Sequence, residues 1–300
     1  MSILQEPALA SFLQKHSNHK SGPPPGAVFD CDGTVIRGDV GEAMFYFQIE
    51  HFLFRQSPAD IWDDHPKREI LQGLYTRLKD LPGDLRRTEG DFDAFAEILL
   101  TWYFGQIDSG EVIKACADIV RLFAGYTLPE VRAIARDTFE SEIHAPLGTR
   151  RLGGQSVPQG IRYIKESVEL LSELQSRGFT IWPVSGSNRW SVESVFQRLG
   201  LAEDRVIGID LVSKNGAFTS KAIDPIPIRQ GKIDALKART ETAPLLVASD
   251  SKNDIPLFLY SAGLKVRINS RGRDTADFFR SAGVSPDASW VNVEEPHTIG

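Results

Sequence analysis

A short apolar run, Ala27-Val28-Phe29, most narrows what this chain can fold into. It follows directly on the breaker cluster Ser21-Gly22-Pro23-Pro24-Pro25-Gly26 and ends in Asp30-Cys31-Asp32-Gly33-Thr34. An apolar run bounded in this way reads as a buried strand. Polar residues at the end of such a strand are where open α/β sheets place their sites. Residues two apart on a strand share a face, so Asp30 and Asp32 should present their carboxylates side by side.

The rest of the chain supports an α/β reading interrupted by a helical block. Between about residues 40 and 144 the pattern is helical and dense in aromatics: Phe45, Tyr46, Phe47, Phe52, Phe54, Trp62, Trp102, Tyr103 and Phe104. Ser109 is the expected N-cap of a helix carrying Val112, Cys116, Ile119 and Val120. Thr127 with Pro129 opens another helix, and residues 91–104 form a third, bounded by Gly90 and Gly105. Residues 145–158 read as loop. Strands then alternate with helices: strands over 179–184, 205–211, 245–248 and 264–268, helices over 167–177, 191–199, 231–239 and 254–260. Asn215-Gly216 is a hairpin-type turn signal. This alternation predicts a doubly wound parallel sheet covered on both faces. The expected organisation is an N-terminal extension over 1–25, an α/β core from 26–37 and 151–300, and an all-helical cap inserted over 38–150. Leu9, Phe12, Leu13 and His16 suit a short amphipathic helix in the extension.

Composition removes several classes. The chain has 34 Lys+Arg against 40 Asp+Glu, a formal net charge of −6, and so lacks the cationic excess of a nucleic-acid binder. At 41% hydrophobic and 25% charged residues it is not a disordered chain. Two cysteines, Cys31 and Cys116, make no disulfide framework, which points to a reducing compartment. No apolar stretch approaches the roughly 20 residues that cross a membrane, and residues 1–20 lack the pattern of a signal peptide. A cytoplasmic protein is expected, with no membrane and no nucleic-acid partner; a homodimer is open.

Four polar clusters fall at strand ends or open a helix: Asp30/Asp32/Thr34, Ser185/Gly186, Lys232, and Asp250/Asn253/Asp254. In a parallel sheet they converge on one edge. Several carboxylates in one place, without histidine or thiolate, call for a hard cation, Mg²⁺ rather than Zn²⁺.

Asp30-Cys31-Asp32-Gly33-Thr34 resembles the DxDGT signature of the haloacid dehalogenase superfamily. Ser185-Gly186 resembles its second motif and Lys232 its third. Ser249-Asp250-Ser251-Lys252-Asn253-Asp254 is similar to the GDxxND motif of its phosphoserine-phosphatase-like branch. The resemblance covers roughly residues 26–37 and 160–270. It implies a Rossmann-like core with a helical cap, and a Mg²⁺-dependent phosphatase acting on a small phosphorylated metabolite, phosphoserine-like or phosphocholine-like. It implies Asp30 as nucleophile and Asp32 as acid and base. Mg²⁺ would lie on Asp30, Asp250 and the Asp32 carbonyl. Thr34, Ser185, Gly186, Lys232 and Asn253 would lie near the phosphoryl group, with Asp254 orienting Lys232. The second aspartate favours phosphoryl transfer, because the superfamily's dehalogenases lack an acid there.

The chain departs from that branch where substrate is chosen. Asp39 stands nine residues after Asp30, where phosphoserine phosphatases carry a glutamate, and Ser185-Gly186-Ser187 replaces Ser-Gly-Gly. Asp39 and Arg189 are therefore candidates for substrate specificity, with Arg37 and Arg55 as further anion-binding candidates; Asp39 is equally a helix-cap residue, and each arginine alone reads first as a surface or ion-pair residue. The cap aromatics could cage a quaternary ammonium or simply fill a core. Cys31 faces away from the two aspartates and is expected to be inert. His51 and His65 have no metal spacing. Two alternatives use the same residues: a phosphotransferase with a non-water acceptor, and a regulatory protein that accepts phosphate on Asp30.

Overall fold

The computed structural model describes residues 2–16, 24–55 and 65–299. Residues 21–23 of the expected linker, and Trp62, lie outside the described residues. The chain divides into two compact units. The first comprises Met1–Asp39, Ile161–Gly208 and Pro225–Gly300; the second comprises Val40–Gly160 and Ile209–Asp224.

The first unit is built on a six-stranded sheet. Its strands in chain order are β1 (Gly26–Phe29), β2 (Thr180–Asn188), β3 (Ile207–Ile209), β4 (Leu246–Ser249), β5 (Leu264–Ile268) and β6 (Trp290–Val293). They lie in the order β6-β5-β4-β1-β2-β3, and every pairing from β6 to β2 is parallel. This is the doubly wound order, in which the chain reverses direction between β1 and β4 and leaves a crevice beyond their carboxyl ends. Both strands are buried along nearly their whole length, and β4 turns polar only at its final residue, Ser249. Val28, Val184, Val247, Ile233, Leu236, Leu257, Phe258 and Phe278 form a buried cluster, with Trp182 and Trp290 packed against it. Strand β6 and the helix Thr275–Ala282 before it, which buries Phe278 and Phe279, lie beyond the elements expected from sequence.

The expected amphipathic helix is Pro7–Lys15, with Leu9 and Leu13 buried. Arg177 donates to the Leu13 carbonyl at 2.8 Å and ties this helix to the first unit.

A second, small sheet fixes where the chain leaves the first unit and returns. Ile36–Arg37 pairs antiparallel with Arg162–Ile164, Ile36 opposite Tyr163. Immediately beyond, Ser167 Oγ donates to the Thr34 carbonyl at 2.6 Å. The turn after β1 is thus held by residues that follow the long insertion.

The second unit is mainly helical, with long helices at Val40–Glu50, Arg68–Leu78, Gly90–Asp108, Val112–Arg121 and Leu128–His144. It is not all-helical. Gly148–Leu152 pairs with Gln155–Gln159, and Leu211–Lys214 with Ala217–Ala222. The first hairpin turns on Gly153-Gly154, both at positive φ, a two-residue signal that reads as plain loop when the flanking residues are polar. The second turns on Asn215-Gly216, as its sequence suggests. It belongs here rather than with the sheet because Phe218 exchanges backbone hydrogen bonds with Gly125 and Tyr126, both at 2.8 Å. Residues 151–160 and 209–224 therefore lie outside the α/β unit, contrary to the boundaries drawn from sequence.

Two helix signals also need correction. Gly105 does not end its helix, which continues to Asp108 and stops at Gly110 in the left-handed region. An interior glycine costs only about 1 kcal/mol, too little to break a helix with a well-buried face. Ser109 closes that helix instead of opening the next, which starts at Val112. The Thr127 signal holds: the Glu130 carboxylate accepts from the Thr127 N–H at 2.9 Å and from its hydroxyl at 2.7 Å.

His65 gives this unit a pH-dependent stability. It is buried beside the Trp102 ring, and its Nδ1 accepts from the Lys67 N–H at 2.9 Å. Burial, with Lys67 and Lys114 adding, lowers its pKa from 6.5 to about 4. The unfolded chain then binds the proton more readily, so the stability is complete above pH ~6.5 and is lost as pH falls toward 4. Chemical denaturation at pH 4.5 and pH 7 should show this loss, and His65→Gln should make the two curves more alike.

Candidate active site

The sequence candidates around the first, third and fourth motifs come together at the carboxyl ends of β1 and β4. Register does this: Phe29 pairs with Ala248, and the Asp30 N–H donates to the Ala248 carbonyl at 3.0 Å. Asp30 and Asp250 therefore leave adjacent strands at the crevice.

Lys232 joins the aspartates. Its ammonium donates to Asp30 Oδ1 at 2.8 Å and to Asp254 Oδ2 at 2.7 Å, with all three side chains buried. It lies in the first turn of Gln230–Lys237, an end of a helix that disfavours a cation. Burial pushes its pKa down, but Asp254 and Asp30 outweigh burial and the result lies above the ordinary lysine value. Lys232 is thus a permanent ammonium. Asp254 Oδ2 also accepts from Ser249 Oγ at 2.6 Å. Burial raises the Asp254 pKa, against the pull of Lys232.

Asp250 has a different environment. It is 3% exposed, and neither carboxylate oxygen accepts a hydrogen bond within the protein. Its ion-pair partner is Arg271, with Nε 3.0 Å from Oδ2. Burial pushes its carboxyl up to about 7; Arg271 opposes this, and Asp30 and Asp254 add to it. Gly33 makes room above it: φ is +79°, and a Cβ there would lie 2.6 Å from Asp250 Oδ2. Asp30, Asp32, Asp250 and Asp254 set four carboxylates against the cations of Lys232 and Arg271. Among the described residues no three carboxylate, imidazole or thiolate groups converge to hold an ion alone. The carboxylates of Asp30 and Asp250 are oxygen donors, and an oxygen donor set suits Mg²⁺. The orphaned oxygens of Asp250 and the charge deficit both fit such an ion.

Asp32 is held from β2. Ser185 Oγ donates to its Oδ2 at 3.1 Å and Ser187 Oγ to the same atom at 2.6 Å. The strand was expected to end before Ser185, but β2 runs on to Asn188, which places both serines on one face. Gly186 between them abuts Ile228, whose Cγ1 would be 2.9 Å from an added Cβ.

Other candidates have different employment. Thr34 is fully buried; its hydroxyl donates to Asp30 Oδ2 at 3.3 Å and accepts from the Asp250 N–H at 2.9 Å. It braces the two aspartates. Asn253 Oδ1 accepts from Arg229 Nε at 3.3 Å. Arg189 pairs with buried Glu193 at 3.5 Å, and Arg55 makes a two-pronged pair with Glu130 at 2.9 and 2.7 Å. Both are ion-pair residues. Asp39 contributes negative charge at Arg271. Cys31 is fully buried, and burial with Asp32 and Asp30 pushes its thiol well up, the state of an inert cysteine.

Sequence reasoning missed three residues here. Ser187 was noted only as a departure from a motif. Arg271 stands 21 positions after Asp250 in an irregular stretch with no signal. Arg229 holds φ +54° and ψ −122° just before the Lys232 helix, a backbone strain of about 1–3 kcal/mol of the kind found near functional sites.

A family model described as haloacid dehalogenase-like hydrolase matches residues 27–259, and the chain belongs to that family. Phosphoserine phosphatase of Halobacterium salinarum (strain ATCC 29341 / DSM 671 / R1) is 25% identical over 140 residues, 45% of this chain and 65% of that enzyme. The match thus spans just under two thirds of the relative's length. Among solved structures, a conserved functionally unknown protein from Anaerococcus prevotii DSM 20548 superposes with a TM-score of 0.73 at 18% identity, covering 95% of this chain and 91% of that one. A protein with unknown function from Bordetella pertussis Tohama I gives 0.57 at 15% identity, covering 91% and 99%. Both share the fold.

Removing the Lys232 ammonium leaves Asp30 and Asp254 buried beside one another. Breaking a buried pair from one side costs about 3–5 kcal/mol. Lys232→Met should lower the unfolding free energy by that order at pH 7, measured by denaturant titration. Adding Asp254→Asn should recover part of it.

Proposed function

We propose that the protein is a Mg²⁺-dependent phosphatase that hydrolyses a small phosphomonoester through a phosphorylated Asp30. The observation that carries this reading is the placement of Asp30: one oxygen on the Lys232 ammonium, the other on Thr34, beside an Asp250 whose oxygens accept no hydrogen bond. A carboxylate so oriented is a nucleophile waiting for an electrophile whose own charge is neutralised. Mg²⁺, held by Asp30, Asp250 and the Asp32 carbonyl, would supply that neutralisation.

An Asp30 oxygen attacks phosphorus while the bond to the leaving oxygen breaks. Asp32 gives its proton to that oxygen, which departs as an alcohol. Asp32, now a carboxylate, takes a proton from the water that hydrolyses the aspartyl-phosphate. Lys232, Ser185 and the Gly186 amide hold the phosphoryl oxygens. Lys232 reaches Asp30 now and would share its donors with the phosphoryl group. The two serines on Asp32 favour this reading over a phospho-accepting regulatory protein, which has no need of a positioned acid and base.

The similarity to a phosphoserine phosphatase favours phosphoserine-like or phosphocholine-like esters as substrates.

The test is phosphate release from phosphoserine, phosphoethanolamine, phosphocholine, glycerol phosphate, sugar phosphates and nucleotides, with Mg²⁺ and with a chelator. Turnover should need Mg²⁺ and fall at least about 10³-fold in Asp30→Asn, the scale of losing a nucleophile. Esters with an ammonium group should rank first. Turnover that survives in Asp30→Asn contradicts the mechanism.

A further inference from the structure

We propose that Ser187 is a positioning residue that holds the acid Asp32 in place once Ser185 turns to the phosphoryl group. This rests on the phosphatase reading above.

Both serines donate to one atom. Ser185 Oγ reaches Asp32 Oδ2 at 3.1 Å and Ser187 Oγ reaches it at 2.6 Å. The Ser187 N–H in turn donates to Ser185 Oγ at 3.0 Å. Ser185 and Ser187 are 1% and 9% exposed, so solvent does not readily replace either. A hydroxyl has one proton to donate. If Ser185 binds a phosphoryl oxygen, as its motif implies, it releases Asp32 at the moment when Asp32 must act. Ser187 resolves that conflict: its shorter bond needs no rearrangement, and its N–H stays on Ser185 Oγ. A glycine at 187 would keep the N–H and lose the hydroxyl.

In the first step the bond between phosphorus and the leaving oxygen breaks, and its electron pair goes to that oxygen. The oxygen takes the proton from the Asp32 carboxyl, and the new bond joins phosphorus to Asp30. The products are an alcohol, an aspartyl-phosphate and an Asp32 carboxylate still bound by Ser187.

A residue that positions the acid matters in proportion to how much the leaving group needs a proton. An alkoxide needs one; p-nitrophenolate does not. The value of kcat/KM covers steps through the first irreversible one, here leaving-group departure. The experiment compares kcat/KM for an alkyl ester, phosphoethanolamine, and for p-nitrophenyl phosphate in the wild-type protein, Ser187→Ala and Ser187→Thr, with Mg²⁺. In Ser187→Ala the alkyl ester should lose about 10- to 100-fold, the scale of one hydrogen bond to a charged group. The aryl ester should lose at least tenfold less. Ser187→Thr, which keeps the hydroxyl, should restore most of the ratio. Should Ser187→Ala fail to fold, Ser187→Gly takes its place in the comparison. Equal losses on the two esters, or no loss on the alkyl ester, overturn the role of Ser187. If the wild-type protein turns over neither ester in an Asp30-dependent way, the phosphatase reading fails and this inference fails with it.

Discussion

The Lys232 ammonium, shared between Asp30 and Asp254, is the contact on which the rest of the site depends. Carboxylates taken out of water at one sheet edge repel each other and lose hydration. Lys232 makes the Asp30–Asp254 side of the cluster tolerable, and Arg271 partly offsets Asp250 on the other. The compensation is incomplete. Asp250 keeps two oxygens without hydrogen-bond donors, and its raised pKa expresses the same cost. An incomplete balance is what a site built for an added cation requires, since a fully paired carboxylate would have nothing to offer it.

Topology decides where this balance is struck. The reversal of strand order between β1 and β4 opens the crevice, and their register sets Asp30 beside Asp250. Thr34 then fastens the two loops together, its hydroxyl between Asp30 and the Asp250 amide. Ser167 holds the Thr34 carbonyl from beyond the insertion. Residues far apart in the chain thus meet at one short turn. The pairing of Ile36–Arg37 with Arg162–Ile164 fixes both ends of the insertion in the first unit.

Much of this was legible in the sequence because the sheet is parallel. Short buried strands advertise themselves as apolar runs, and polar residues at their ends advertise the crevice. Asp30, Asp32, Lys232, Asp250 and Asp254 were found in that way, and the structure brings them together. What escaped has physical reasons. Ser187 looked like loop because the strand was thought to end where polar residues began; a strand lining a site carries polar residues to its end. Arg271 acts across space from an irregular segment that no periodicity marks. No sequence pattern discloses that the Thr34 hydroxyl bridges Asp30 and the Asp250 amide. The hairpin at 211–222 has a plain turn signal, yet its attachment to Gly125 and Tyr126 is a tertiary contact that only the fold reveals.

The central claim is that Asp30 becomes covalently phosphorylated during turnover. The most direct measurement is acid quenching of a single turnover with a ³²P-labelled phosphomonoester and Mg²⁺, followed by peptide mapping. The account predicts a transient label, stable in acid and released by hydroxylamine, on the peptide that contains Asp30. Phosphate release at full rate with no such label, or a label on another residue, would contradict it.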